Sequence, residues 1–392
     1  MLKDLEIEQI KNVLKTGIGE GFLAGANLMI IKNGKELFYH EDGFADREKK
    51  IPIKRNSIFR LYSMTKPITA TAAMILLERG EIDLYDPVSK YLVGFKNQKV
   101  MQGDMLVPAE REVILKDLLS MTSGLVYSGE SLAGKSIENL FEEIKDELYH
   151  DSSMTTLEIA NKIGECPLAF QPGTSWEYGT SADVLGAVVE IVSGKKFGDF
   201  LKDEIFKPLG MNDTDFWVPE EKRDRLVKTY EDNGRGLELY TQNHLAIMQM
   251  MDKKPTFESG GAGLVSTIDD YAKFANMLLC DGTYNGIQIL KPKTVKYMTT
   301  STLNSQQQSD MDLWDTLCGH SYGNLMRVMT DCTKAGVLGS DGEYGWDGWL
   351  GAYFSNSQTD NLTFLFMMQK TNSGTTSLTR KLRNIIFSAC CE

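Results

Sequence analysis

The sequence predicts an α/β (α+β) fold in which an antiparallel sheet is assembled from both ends of the chain, with a mostly helical lobe inserted between them. Three observations carry this expectation. Asn33-Gly34 separates the apolar runs 26–31 and 36–39, and Asn-Gly is a strong hairpin signal because both central residues of the turn take positive φ. The runs 348–354 and 362–368 return to strand character, rich in aromatic and branched residues. Between these ends, apolar residues recur at spacings of three and four, which predicts helices over 68–78, 115–120, 157–163, 182–192, 197–205 and 268–279.

Each element has its own local reason. Ile7, Ile10, Val13 and Leu14 make one face of a first amphipathic helix. Asp269 and Asp270 put acids in the first turn of the 268–279 helix, as its dipole favours. Turns follow from Gly and Pro at 171–173, 207–210 and 258–263, and a closing helix is expected over 377–388. The stretches 96–112 and 127–156 read as surface loops, and 301–312 as a polar bridge. The expected division is a sheet lobe of residues 1–60 and 315–392 and a helical lobe of residues 61–314, with the active site between them.

Composition narrows the function classes. The 392 residues suffice for a large core, and a formal net charge of −12 argues against a nucleic-acid partner. No run approaches the 18 or so apolar residues a membrane span needs, so no membrane partner is expected. Met1-Leu2-Lys3-Asp4-Leu5-Glu6 lacks the cationic start and apolar core of a signal peptide, which gives a cytoplasmic expectation. Cys166, Cys280, Cys318, Cys332, Cys390 and Cys391 show no C-x-x-C spacing and read as reduced thiols. His40, His150, His244 and His320 stand apart, so no metal site is expected. Gly260-Gly261-Ala262-Gly263 lacks the flanking residues of a phosphate loop and reads as structural, which leaves no cofactor expected.

The chemistry-bearing stretch is Ser63-Met64-Thr65-Lys66 at the head of the 68–78 helix. Three residues apart at a helix start, Lys66 lies on the face of Ser63, where unpaired N–H groups favour a developing oxyanion. Serine beside a lysine amine is a histidine-free route to a nucleophile. Ser193 and Lys196 repeat the spacing, but Gly194 marks a helix stop there. Taken alone, Ser63 reads as a helix N-cap. Three further stretches change that balance: Tyr178 delivered by a turn just before the 182–192 helix, the loop 258–271, and Gly345-Trp346-Asp347-Gly348-Trp349-Leu350-Gly351 on an expected strand. Trp346 and Trp349 either pack the sheet or line an acyl pocket.

Together with the runs 118–124 and 205–214, these motifs resemble the serine β-lactamase-like superfamily of class C β-lactamases, D-alanyl-D-alanine peptidases and family VIII carboxylesterases, in matching order from about residue 8 to 388. The resemblance implies a β-lactamase/transpeptidase-like fold with Ser63 as nucleophile. It implies that Lys66, neutral or coupled to Tyr178, eases deprotonation of Ser63, and that Tyr178 takes and returns protons. It further implies an oxyanion hole from the backbone N–H groups of Ser63 and Trp349, and substrate-binding positions at Thr180, Trp346, Asp347 and Gly348. Gly348 would let substrate lie against the strand.

Two departures narrow the subfamily. Trp346-Asp347-Gly348 stands where β-lactam and peptidoglycan enzymes usually carry Lys-Thr-Gly, and Tyr178-Gly179-Thr180 replaces their Tyr-x-Asn. A missing cation and an added carboxylate disfavour an anionic substrate. The motifs look more like family VIII esterases, so the expectation is a serine hydrolase cleaving small or medium acyl esters. The expected partner is a small-molecule ester or amide, and oligomeric state stays open. β-Lactamase or D-alanyl-D-alanine peptidase activity, acyl transfer to a small acceptor, and a catalytically silent binding protein are the alternatives.

Overall fold

A computed structural model describes residues 2–103, 105–150 and 153–390. Around the hairpin at Asn33-Gly34, where φ is 53° and 73°, the chain forms β1 (Gly25–Lys32) and β2 (Lys35–Asp46), then a short β3 (Ile51–Pro52). The later strands are β4 (His320–Tyr322), β5 (Arg327–Met329), β6 (Tyr344–Asp347), β7 (Tyr353–Ser357) and β8 (Leu362–Met368). They form one sheet in the order β4-β5-β6-β7-β8-β1-β2-β3. Every pairing is antiparallel, and the two ends of the chain join where β1 meets β8 with Met29 opposite Leu365.

Five helices matter most for the site: α1 (Asp4–Gly19), α2 (Lys66–Glu78), α3 (Ser181–Ser193), α4 (Ile268–Leu279) and α5 (Ser377–Cys390). The sheet is apolar on both faces because each face has its own cover. Leu28, Ile30, Phe364 and Phe366 pack with Ile10 and Leu14 of α1 and Leu382 and Ile386 of α5. Met29, Ile31, Leu365 and Met367 point the other way, into a larger core shared with α2, α3 and α4. That alternation is the period-two pattern of a strand applied to two cores at once. Every residue of α2 from Lys66 to Leu76 is buried, as expected for a helix without a polar face.

The structure corrects four local expectations. Residues 348–351 are not strand: Gly348 accepts the Gly351 N–H at 2.8 Å, Gly351 has φ of +89°, and β7 starts only at Tyr353. The expected loop 96–112 contains a hairpin of Lys99–Gln102 and Met105–Pro108. The expected loop 127–156 contains the helix Leu132–Glu147, which Ser131 caps by accepting the Gly134 N–H at 3.0 Å. The polar bridge contains the helix Ser305–Met311, with Asn304 accepting the Gln306 and Gln307 N–H groups. In each helix a polar residue taken as a loop signal is instead a cap. Met1, Asp104, Asp151, Ser152 and Cys391, on which parts of the sequence reading fall, lie outside the described residues. Cys166, Cys280, Cys318, Cys332 and Cys390 are unpaired thiols among the described residues.

Candidate active site

The nucleophile segment enters the site through strain. Tyr62 takes φ of +46°, a region that costs a bulky L-residue of order 1–3 kcal/mol and persists only where surroundings impose it. Its neighbours do impose it: Leu61 N–H donates to Leu264 O at 2.9 Å, and Tyr271 OH donates to Met64 O at 2.9 Å. Ser63 lies in a tight 3₁₀ turn, Tyr62–Thr65, that runs directly into α2 at Lys66. Lys66 is fully buried, and its Nζ lies 3.2 Å from Ser63 Oγ, 3.0 Å from Tyr127 OH and 3.0 Å from Gly261 O. Burial pushes its pKa down to about 7, against the weaker upward pull of Asp183 and Asp347.

The loop 259–264 holds that geometry. Ser259 Oγ and Gly261 N–H both donate to the buried carboxylate of Asp183, at 2.5 and 3.0 Å. Thr69 Oγ1 donates to Gly260 O at 2.7 Å, and Leu264 N–H donates to Thr65 Oγ1 at 3.1 Å. A Cβ at Gly261 would lie 2.7 Å from Asp183 Oδ2. The glycine-rich loop is therefore a clamp between α2 and α3, and its Gly261 carbonyl takes one N–H of Lys66. Burial raises the Asp183 carboxyl, with Lys66, Ser259 and Gly261 opposing that rise.

Tyr178 comes from the turn before α3. Its hydroxyl accepts Trp346 Nε1–H at 3.0 Å, and its ring faces Lys66 Nζ at 4.5 Å from the centroid. Burial raises its hydroxyl pKa, and hydrogen bonding with Ser63 and Trp346 opposes the rise. The sequence reading has Lys66 either neutral or coupled to Tyr178; the hydroxyl bonded to the amine is that of Tyr127. Sequence reasoning missed Tyr127, which is separated from Lys66 by 61 residues and carries no motif spacing to it. It also missed a role for Asp183, although that residue lies in a stretch it had singled out.

The fourth stretch departs from expectation in detail. Trp346, on β6, is buried against Tyr178 and Tyr322 with ring centroids 5.3 Å from each. Asp347 turns to accept the Thr375 hydroxyl; burial raises its carboxyl, and Arg327 and Thr375 partly offset that. Thr180 is fully buried, and its Oγ1 has no hydrogen-bond partner among the described residues. Trp349 sits in the 348–351 turn, its indole stacked on His244 at 4.0 Å and tilted on Tyr62 at 5.0 Å. Its backbone N–H donates to no other backbone group among the described residues. Gly348 also approaches the nucleophile segment closely: a Cβ there would lie 2.2 Å from Leu61 O.

The described residues hold no cluster of three or more metal-ligating side chains, and none of their helices is long and apolar enough to cross a membrane. A cavity of about 730 Å³ opens beside Tyr178, lined also by Trp176 and Trp314.

A buried Ser-x-x-Lys pair under an antiparallel sheet flanked by helices defines a class, and comparison with known proteins places the chain in it. The chain belongs to the beta-lactamase family, whose family model matches residues 10–385. It is 32% identical over 358 residues to Protein Rv1367c of Mycobacterium tuberculosis, covering 89% of this chain and 86% of that protein. It is 27% identical over 390 residues to Esterase EstB of Burkholderia gladioli, covering 96% and 94%. The structure of EstCE1, described as a hydrolase with promiscuous acyltransferase activity, superposes with a TM-score of 0.83 at 25% identity, covering 97% and 98%. The scaffold is thus a beta-lactamase-like fold of the serine-hydrolase and acyl-transfer kind, with esterase-like relatives.

Proposed function

We propose that this chain is a serine hydrolase that cleaves esters of small or medium acyl groups through an acyl-Ser63 intermediate. The observation that carries this reading is the buried Lys66 amine, 3.2 Å from Ser63 Oγ and with its pKa lowered to about 7. As a neutral amine, Lys66 donates to Tyr127 OH and Gly261 O and offers its lone pair to the Ser63 proton. Ser63 Oγ adds to the ester carbonyl, whose oxygen faces the N–H groups of Ser63 and Trp349. The alcohol departs with the proton of Tyr178, whose phenolate is stabilised by the Trp346 indole and the new Lys66 ammonium. Water then gives a proton to Tyr178, attacks the acyl group, and Ser63 recovers its proton from Lys66.

The surroundings of Ser63 disfavour a substrate with an anionic acyl group. The group that donates to the Tyr178 hydroxyl from the strand side is an uncharged indole, and the carboxylates of Asp183 and Asp347 both stand close enough to act on Lys66. Hydrolysis of p-nitrophenyl acetate and butyrate well above a Ser63→Ala control, with little nitrocefin turnover, is the expected outcome. No turnover above that control sinks the hydrolase reading, and efficient nitrocefin turnover sinks the exclusion of an anionic acyl group.

Acyl transfer is the second reading, supported by the cavity against Tyr178, which has room for an acceptor alcohol, and by the acyltransferase activity named for EstCE1. Its test is whether added alcohols trap the acyl group faster than water does.

A further inference from the structure

The groove against Tyr178 has a chemistry of its own. Trp176 forms its floor at 5% exposure, and Trp314 stands over it, edge-on to Tyr178 with ring centroids 5.4 Å apart. Beside Trp314, Leu313 is 83% exposed, so this lip presents apolar surface to solvent. Three carboxylates, Glu177, Asp310 and Asp315, line the same groove, while no lysine or arginine does. Asp310 accepts the Ser175 hydroxyl at 2.7 Å and the Gln306 amide at 3.0 Å. None of the three carboxylates forms an ion pair among the described residues. The indole N–H of Trp176 is buried without a partner among the described residues, and such a donor asks for an explanation beyond packing.

An exposed aromatic ring rimmed by carboxylates attracts an organic cation: Trp314, 40% exposed, offers a cation–π contact, and the carboxylates add Coulomb attraction. The groove also adjoins the residue that would protonate a departing alcohol and deprotonate an incoming one. We infer that this groove binds the alcohol portion of the ester, or the acceptor, and selects one carrying an alkylammonium group. The inference rests on the hydrolase reading for its place in the reaction, but not for the binding itself. It makes the site selective in two ways: an uncharged acyl half beside Trp346, and a cationic apolar alcohol half against Trp314 and the carboxylates around it.

The test uses butyrylcholine and 3,3-dimethylbutyl butyrate, which differ by a quaternary nitrogen in place of a carbon. The expected kcat/KM ratio is about tenfold in favour of the cation at low salt, shrinking as salt screens the carboxylates. The double variant E177Q/D315N should bring the ratio towards unity. A ratio at or below unity in the wild type, or one unchanged in the double variant, overturns the inference. Binding is read separately from turnover by titrating Ser63→Ala with choline and with 3,3-dimethylbutanol and following tryptophan fluorescence, with Trp314→Phe in the same background as the control. Choline binding that weakens in the Trp314→Phe control supports the groove even if the wild type cleaves no ester, an outcome that removes only the hydrolase reading. Ester turnover with neither choline binding nor charge preference removes the groove and leaves the hydrolase.

Discussion

Replacing Lys66 with methionine removes the buried amine beside Ser63 while keeping a chain of similar length. An unfolded lysine keeps its proton to about 10.5, whereas in the fold the amine gives it up near 7. Between those values the unfolded state binds more protons, so the stability of the native protein rises with pH across that window. Below pH 7 both states are protonated and the whole cost of burying the ammonium stands; above 10.5 it has vanished. Each pH unit inside the window corresponds to ~1.36 kcal/mol, so the full span is on the order of 5 kcal/mol. Urea unfolding of the wild type and Lys66→Met, in steps from about pH 6 to 10, isolates this contribution as the difference between the two. That difference should be flat below pH 7 and then shift by ~1.4 kcal/mol per unit in favour of the wild type. The esterase pH profile should show the same group, with kcat/KM falling about tenfold per unit below pH 7. A stability difference that stays level throughout would mean that Lys66 ionises alike in both states, and the amine would lose its claim to be the base.

Three other perturbations test the surrounding structure. Tyr127→Phe removes a hydroxyl 3.0 Å from Lys66 Nζ; the ammonium loses an acceptor, so the acid limb of the profile should move to lower pH and kcat/KM should drop about tenfold, and an unmoved limb refutes the assignment. Gly348→Ala puts a Cβ against Leu61 O, so urea unfolding should show a loss of about 1–3 kcal/mol and ester turnover should fall further still. Gly348 is not among the positive-φ residues, so an unchanged variant would show that this contact yields easily. Arg383→Leu strands Glu343, since both partners of that pair are nearly inaccessible and Arg383 also donates to Tyr353 OH at 3.1 Å. The expected cost is about 3–5 kcal/mol, with much of it recovered when Glu343 is also made leucine; equal stability of the single and double variants would contradict this.

Short-range features of this chain were legible residue by residue. The Asn33-Gly34 hairpin, the 115–120 and 268–279 helices and the Ser63–Lys66 pairing rest on φ preferences, caps and helical spacing that involve only neighbours. Misread stretches were those where a local signal has two uses. Ser131 and Asn304 look like loop residues but cap helices, and Gly348 and Gly351 bracket a turn inside an aromatic run that otherwise reads as strand.

The serine, the lysine and the antiparallel frame that carries them are properties of the sequence, because period and turn chemistry are written in adjacent residues. Tertiary structure alone decides that Tyr127 rather than Tyr178 bonds the lysine amine, that Asp183 ties the 259–264 loop to α3, and that Gly348 packs against Leu61 O. It alone lowers the Lys66 pKa, because desolvation is the joint work of side chains that meet only once the chain has folded.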